Sequence, residues 1–172
     1  DKPRAVGYLQ SPDFGKSWQR YDGTPVELPA GADSVTVVAG EKEFEGLRCA
    51  NIAVDSQGKP HLLYCAASPW PSRAWIARPG KSGEWQSLPL QEAAAGLPVE
   101  GGLILPGCMT FDTEDRIHAA MSIINPAKGE STWGHASNEV VLVQSSDRGE
   151  SFSARLVAPP DPASARWLPN LE

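Results

Sequence analysis

Three arginines have the chemistry to hold an anion together. Arg48 opens an apolar run, Arg73 follows Ser68-Pro69-Trp70-Pro71-Ser72, and Arg166 immediately precedes Trp167. A guanidinium presents paired N–H donors that match a carboxylate, so three at one mouth would receive an acidic ligand. The competing reading of each is a solvated or salt-bridged loop residue. Glu45 and Glu100 supply two carboxylates, the pair that glycoside hydrolysis requires. Their surroundings repeat, however, as Glu45-Gly46-Leu47 and Glu100-Gly101-Gly102-Leu103. A catalytic residue has no reason to recur in each unit, which favours a structural role. His135, in Thr132-Trp133-Gly134-His135, is a candidate general base or an ordinary loop histidine. Trp70, Trp133 and Trp167 would offer stacking faces to sugar rings if exposed, and otherwise would pack between sheets.

The elements that must position these side chains follow from repeats. Ser11-Pro-Asp13-Phe-Gly15-Lys-Ser17-Trp18 and Ser145-Ser-Asp147-Arg-Gly149-Glu-Ser151-Phe152 share the pattern S-x-D-x-G-x-S-(aromatic). Each lies between apolar runs, as a hairpin turn should. The Asp can accept N–H groups of its own turn, and Gly15 and Gly149 can supply a left-handed position. Residues 77–85 form a degenerate third copy, and Trp18, Trp85 and Phe152 fall at equal intervals of 67 residues. A second repeat is interleaved: Ile52–His61 echoes Met109–His118, with Asp55/Asp112 and His61/His118 each 57 residues apart. His61 and His118 therefore read as structural.

The octapeptides resemble the Asp box, or bacterial neuraminidase repeat, of sialidase-like β-propellers. The resemblance covers both boxes and, more loosely, most of the chain between them. It is specific for architecture rather than chemistry. It implies an all-β protein, a β-propeller of four-stranded antiparallel blades, with about two and a half to three blades in a partial ring over residues 1–172. Residues 1–30 are expected to end one blade, 31–95 to form the second, 96–160 the third, and 161–172 to begin another. In blade two, strands are expected near Arg48–Val54, His61–Ala66 and Ala74–Ala77, and from Trp85. In blade three they are expected near Leu105–Phe111, Ile117–Ser122 and Val140–Gln144, and from Phe152. The first blade contributes Ala5–Gln10 and a strand from Trp18. Gln91–Gly96 is too short for a helix of consequence.

In such a meander the boxes and the Asp55 and Asp112 turns share one rim. The long connections, Tyr21–Leu47, Ser68–Arg73, Pro89–Leu105, Ile123–Glu139 and Pro159–Ala165, occupy the other. Function concentrates on loops held by a rigid scaffold, and in sialidase-like propellers the active site lies away from the boxes. The resemblance thus implies a carbohydrate partner, and an exo-sialidase-like glycoside hydrolase of acidic sugars served by an arginine triad. No arginine here sits in a sialidase-specific motif, and the family's Tyr/Glu nucleophile pair and acid Asp have no identifiable counterparts. The alternatives are a non-catalytic propeller used for binding or assembly, and a polysaccharide-lyase-like propeller in which His135 acts. An extracytoplasmic or secreted setting is the expectation. A half-ring leaves faces and edges exposed, so the chain is expected to be a fragment of a longer protein, or less favourably one of two chains completing a ring.

Composition narrows the classes. The 172 residues carry 15 basic and 21 acidic side chains, a net charge of −6, with no basic cluster; nucleic-acid binding is disfavoured. No apolar stretch approaches the ~20 residues of a membrane-spanning helix. Sixteen Gly and sixteen Pro suit short strands and turns. Cys49, Cys65 and Cys108 are odd in number. Cys49 and Cys65 lie symmetrically about Gln57, so they are either a cross-strand bridge or small buried hydrophobes. Neither the Cys nor the His spacing suits zinc, and no metal or cofactor is expected.

Overall fold

The computed structural model describes residues 5–40 and 44–171. Residues 1–4, 41–43 and 172, which belong to the expected first blade, the Tyr21–Leu47 connection and the final unit, lie outside them. The fold is all-β with one short helix, α1 (Gln91–Ala94). Strands β5 (Glu45–Val54), β6 (Pro60–Ser68), β7 (Arg73–Pro79) and β8 (Trp85–Pro89) form a four-stranded antiparallel meander. A second meander comprises β9 (Gly102–Phe111), β10 (Ile117–Ile124), β11 (Glu139–Ser145) and β12 (Ser153–Leu156). The strands of both meanders fall where the repeats place them, with ends that differ by up to three residues: β5 and β9 begin three earlier, and β12 begins at Ser153 rather than Phe152.

The beginning of the chain departs from expectation. β1 (Ala5–Tyr8) turns through the first box to β2 (Trp18–Gln19), joined by a bridge between Gln10 and Gln19. Tyr21–Leu47 is not simply a long connection. It holds β3 (Pro25–Val26), paired with β2, and β4 (Thr36–Gly40), paired antiparallel with β1. The β-branched run Thr36-Val37-Val38 satisfies the free edge of β1. Arg20 ties the intervening loop by donating to the carbonyls of Ser34 (2.8 Å) and Asp33 (2.7 Å). At the other end, residues 165–171 form no strand. That segment is held by the Arg166 N–H on the Asn138 carbonyl (2.8 Å) and by the contact of Cys108 Sγ with the Pro169 carbonyl (3.5 Å).

The meanders pack in series. On β6, Leu62, Tyr64 and Ala66 face the β1/β4 sheet in one core with Val6, Tyr8 and Trp75. The alternate residues Leu63 and Cys65 face the second meander, in a larger core with Met109, Ile117 and Val143. Ala119, Met121 and Ile123 of β10 also enter that larger core. These three stand 57 residues after Leu62, Tyr64 and Ala66. Both meanders therefore turn the same face of the same strand toward the sheet before them. Period-2 alternation makes this possible, since each strand offers one row of side chains to each neighbour.

Glycine sets the closest approach between the meanders. A Cβ on Gly102 would lie 2.3 Å from Ser72 Oγ and 2.5 Å from the Ser72 nitrogen. Gly101, at φ 150°, would meet the Ile124 carbonyl oxygen at 2.3 Å. The Glu100-Gly101-Gly102 motif thus has a steric cause. The cysteine pairing is also decided. A β-bulge between Cys49 and Asn51 shifts the β5–β6 register, placing Cys49 opposite Tyr64 and Cys65 opposite Arg48. Neighbouring pairs project to opposite faces, and all three cysteines are free. The expected cross-strand bridge does not form.

Candidate functional site

The two boxes are built alike. Ser11 Oγ donates to Asp13 Oδ1 (3.0 Å) and accepts the Gly15 N–H (2.6 Å), while Asp13 receives the Ser17 N–H (2.8 Å) and hydroxyl (2.7 Å). In the second copy Ser145 donates to Asp147 (2.7 Å) and accepts from Gly149 (2.7 Å), and Asp147 receives the Ser151 N–H (2.9 Å) and hydroxyl (2.5 Å). Gly15 and Gly149 adopt φ of 87° and 86°. The Ser17 N–H and hydroxyl hold Asp13 below the usual carboxylate range, and the Ser151 hydroxyl and N–H do the same to Asp147. Both carboxylates are consumed by their own turns. Phe152 packs against the larger core; Trp18 is half-buried. The degenerate copy closes by Gly80 N–H to the Glu84 carbonyl (2.7 Å), and its Trp85 packs against Tyr8 and Tyr21.

The expected arginine cluster does not assemble. Leu47 pairs with Ala66 and Arg48 with Cys65 on β6, while Ala66 pairs with Arg73 and Cys65 with Ala74 on β7. Arg48 and Arg73 therefore leave opposite faces of one sheet. Arg73 lies over the Phe44 ring, 5.8 Å from its centroid. Arg166 donates to Glu139 Oε2 (2.9 Å) and to the Pro159 carbonyl. Glu139 is only 4 % exposed and also accepts the Asp161 N–H at 2.8 Å. A buried carboxylate needs such a partner, so Arg166 is structural. The Arg48 side chain has no hydrogen bond or ion pair among the described residues.

Glu45, the first residue of β5, and Glu100, two residues before β9, are exposed, and each precedes a buried leucine, Leu47 or Leu103. His135 has both ring nitrogens engaged inside its own loop, Nδ1 with Ser137 Oγ (2.8 Å) and Nε2 with Glu130 Oε2 (3.0 Å). Glu130 also accepts the Ala127 N–H (2.7 Å), and Ser137 Oγ the Asn125 N–H (2.9 Å). The Ala127 N–H and then His135 keep the Glu130 carboxyl below its usual range. This network shapes the loop that carries Trp133.

The structure does bring Arg48 and two of the tryptophans into one neighbourhood. Trp133 is 65 % exposed, and Trp167 meets it at a 4.6 Å centroid distance and 83°. Trp133, Arg48, Cys49 and the Leu105–Gly107 stretch line a concavity of about 240 Å³. Trp70 is exposed on a different connection, the one between β6 and β7. Larger concavities occur on the box rim, one of about 500 Å³ between the two meanders and one of about 550 Å³ beside His118 and Gln144. His118 is fully engaged there, by Asp112 at Nε2 (2.9 Å) and Gln144 at Nδ1 (2.9 Å). Among the described residues no group of three or more His, Cys, Asp or Glu is arranged to hold a metal ion. No helix among them is long and apolar enough to cross a membrane.

No protein-family model matches the chain, and no curated protein matches it.

Proposed function

We propose that this chain forms consecutive blades of an Asp-box β-propeller and binds carbohydrate on the rim opposite the boxes, through Trp133, Trp167 and Arg48. The serial packing of two four-stranded meanders by equivalent faces supports the propeller reading. The binding reading rests on one observation: an exposed indole, braced edge-on by a second, shares its concavity with a guanidinium that has no partner among the described residues. An aromatic face with polar hydrogen-bonding groups around it suits a sugar ring.

Binding is favoured over hydrolysis by the state of the carboxylates. A glycosidase acid needs a raised pKa. Every carboxylate with a displaced pKa among the described residues is displaced downward, by hydrogen bonds within turns or to neighbouring side chains. The test is a glycan-array screen followed by calorimetry on the best ligand. Trp133→Ala should weaken binding by about three- to tenfold, on the scale of one lost stacking contact, with an unchanged circular dichroism spectrum. Equal affinity of wild type and variant would overturn the reading.

A further inference from the structure

The concavity of about 500 Å³ on the box rim is a cleft between the meanders, within the ~300–1,000 Å³ range of small-molecule sites. Three cross-links fix its walls. Ser56 donates its N–H (2.9 Å) and hydroxyl (2.6 Å) to Asp115, Arg148 stands 3.7 Å from Asp115, and Arg78 binds Glu150 (3.1 Å) and the Arg148 carbonyl. His61 lines the cleft and is only 3 % exposed. Its Nδ1 lies 3.2 Å from the Lys59 carbonyl, so Nδ1 carries the proton and donates. Its ring packs edge-on to Phe111 at 4.8 Å. Nε2 is left as an acceptor with no partner among the described residues, and it is not one of the sealed, unpartnered buried atoms. Burial holds the ring neutral by pushing its pKa down.

Nε2 is reached from the cleft, so a water or a ligand hydroxyl entering there can donate to it. His118, at the equivalent position of the repeat, has both nitrogens satisfied by protein groups. The difference singles out His61. Four basic and four acidic side chains line the cleft, so it carries no net charge. Arg78, Arg148, Asp115, Asp147 and Glu150 are taken up by the walls and the box. Lys59, Lys81 and Gln86 remain as donors, and Asp55 Oδ2 as an acceptor. Mixed donors and acceptors around an aromatic ring, without net charge, match a neutral ligand rich in hydroxyl groups.

We propose that this cleft is a second binding site, for a neutral polyol of monosaccharide size, one hydroxyl of which donates to His61 Nε2 while others accept from Lys59 and Lys81. The site is distinct from the Trp133 surface and does not depend on it. The chain has three histidines, so ¹H–¹³C correlation spectra report on each separately. Glucose, galactose, mannose and myo-inositol are titrated in turn into the whole chain. The expected result is a saturable shift of the His61 Cε1–H signal with at least one of them, with the His118 and His135 signals unmoved. The shift should persist in Trp133→Ala, and affinity should fall about tenfold in Lys59→Met/Lys81→Met, whose surface positions leave the core intact. The proposal is overturned if none of the four sugars moves His61, if the double variant binds as tightly as wild type, or if gluconate or glucosamine binds more tightly than glucose.

Discussion

Gly102 has no room for even a methyl group, because Ser72 closes on it from the neighbouring meander. Gly102→Ala should destabilise the chain by about 1–3 kcal/mol, the usual cost of overpacking, read as a lower urea midpoint at unchanged slope. Arg166→Met should also lower stability, by up to about 3 kcal/mol, since it removes a charged hydrogen-bond partner from buried Glu139. Its effect on glycan affinity should stay within about twofold, because Arg166 is absent from the Trp133 concavity. A tenfold loss of affinity would return Arg166 to the binding surface. The turn carboxylates give a pH signature. Asp13, Asp112 and Asp147 are held below their unfolded values, so the unfolded chain binds more protons in acid. Their stabilisation is complete above the unfolded carboxylate pKa of about 4 and is lost as pH falls below it. His61 adds a second, milder loss that begins near the unfolded histidine pKa of about 6.5. Urea titrations at several pH values should show both, and His61→Phe should remove only the upper one. The box geometry was legible in the sequence because its bonds close within eight residues. The different partners of His61 and His118 were not, because they depend on which neighbour the packing brings to each repeat.

At the scale of elements, the strand repeats were legible because alternation and turn spacing are local. Register was less so. One extra residue in β5 moves Cys49 past Cys65, and no spacing argument about Gln57 detects a bulge. The same slip puts Arg48 and Arg73 on opposite faces, so a cluster that looked plausible along the chain dissolves in the sheet. A thiol-labelling experiment checks the register. Cys49 is exposed on an edge strand, whereas Cys65 and Cys108 are buried. A maleimide should modify one cysteine in the native state and all three in denaturant. Protection of Cys49 together with Cys65 would indicate the bridge instead. The residue is accessible, but its Sγ rests against the Leu63 carbonyl at 3.7 Å, and this partial desolvation pushes the thiol above its ordinary pKa, so its labelling rate should still be climbing at a pH where a free thiol has levelled off.

The whole molecule is a series of sheets with a shared core on each side of the first meander. Leu63 is fully buried in the larger core, between the meanders. Leu63→Ala should cost about 2–5 kcal/mol, and its effect should appear in hydrogen exchange of β6 and β10 alike. Protection lost from β6 alone would mean that the meanders unfold independently. The two rims differ in one further respect. On the box rim, the Asp55 and Asp112 turns close in the same way, each Asp accepting the N–H groups two and four residues on. On the opposite rim, β6 reaches β7 through residues 69–72, whereas β10 reaches β11 through residues 125–138. One rim keeps a fixed gauge while the other admits insertions without disturbing a strand. A single connection on that rim can therefore lengthen from four residues to fourteen, and the strands on either side record none of it.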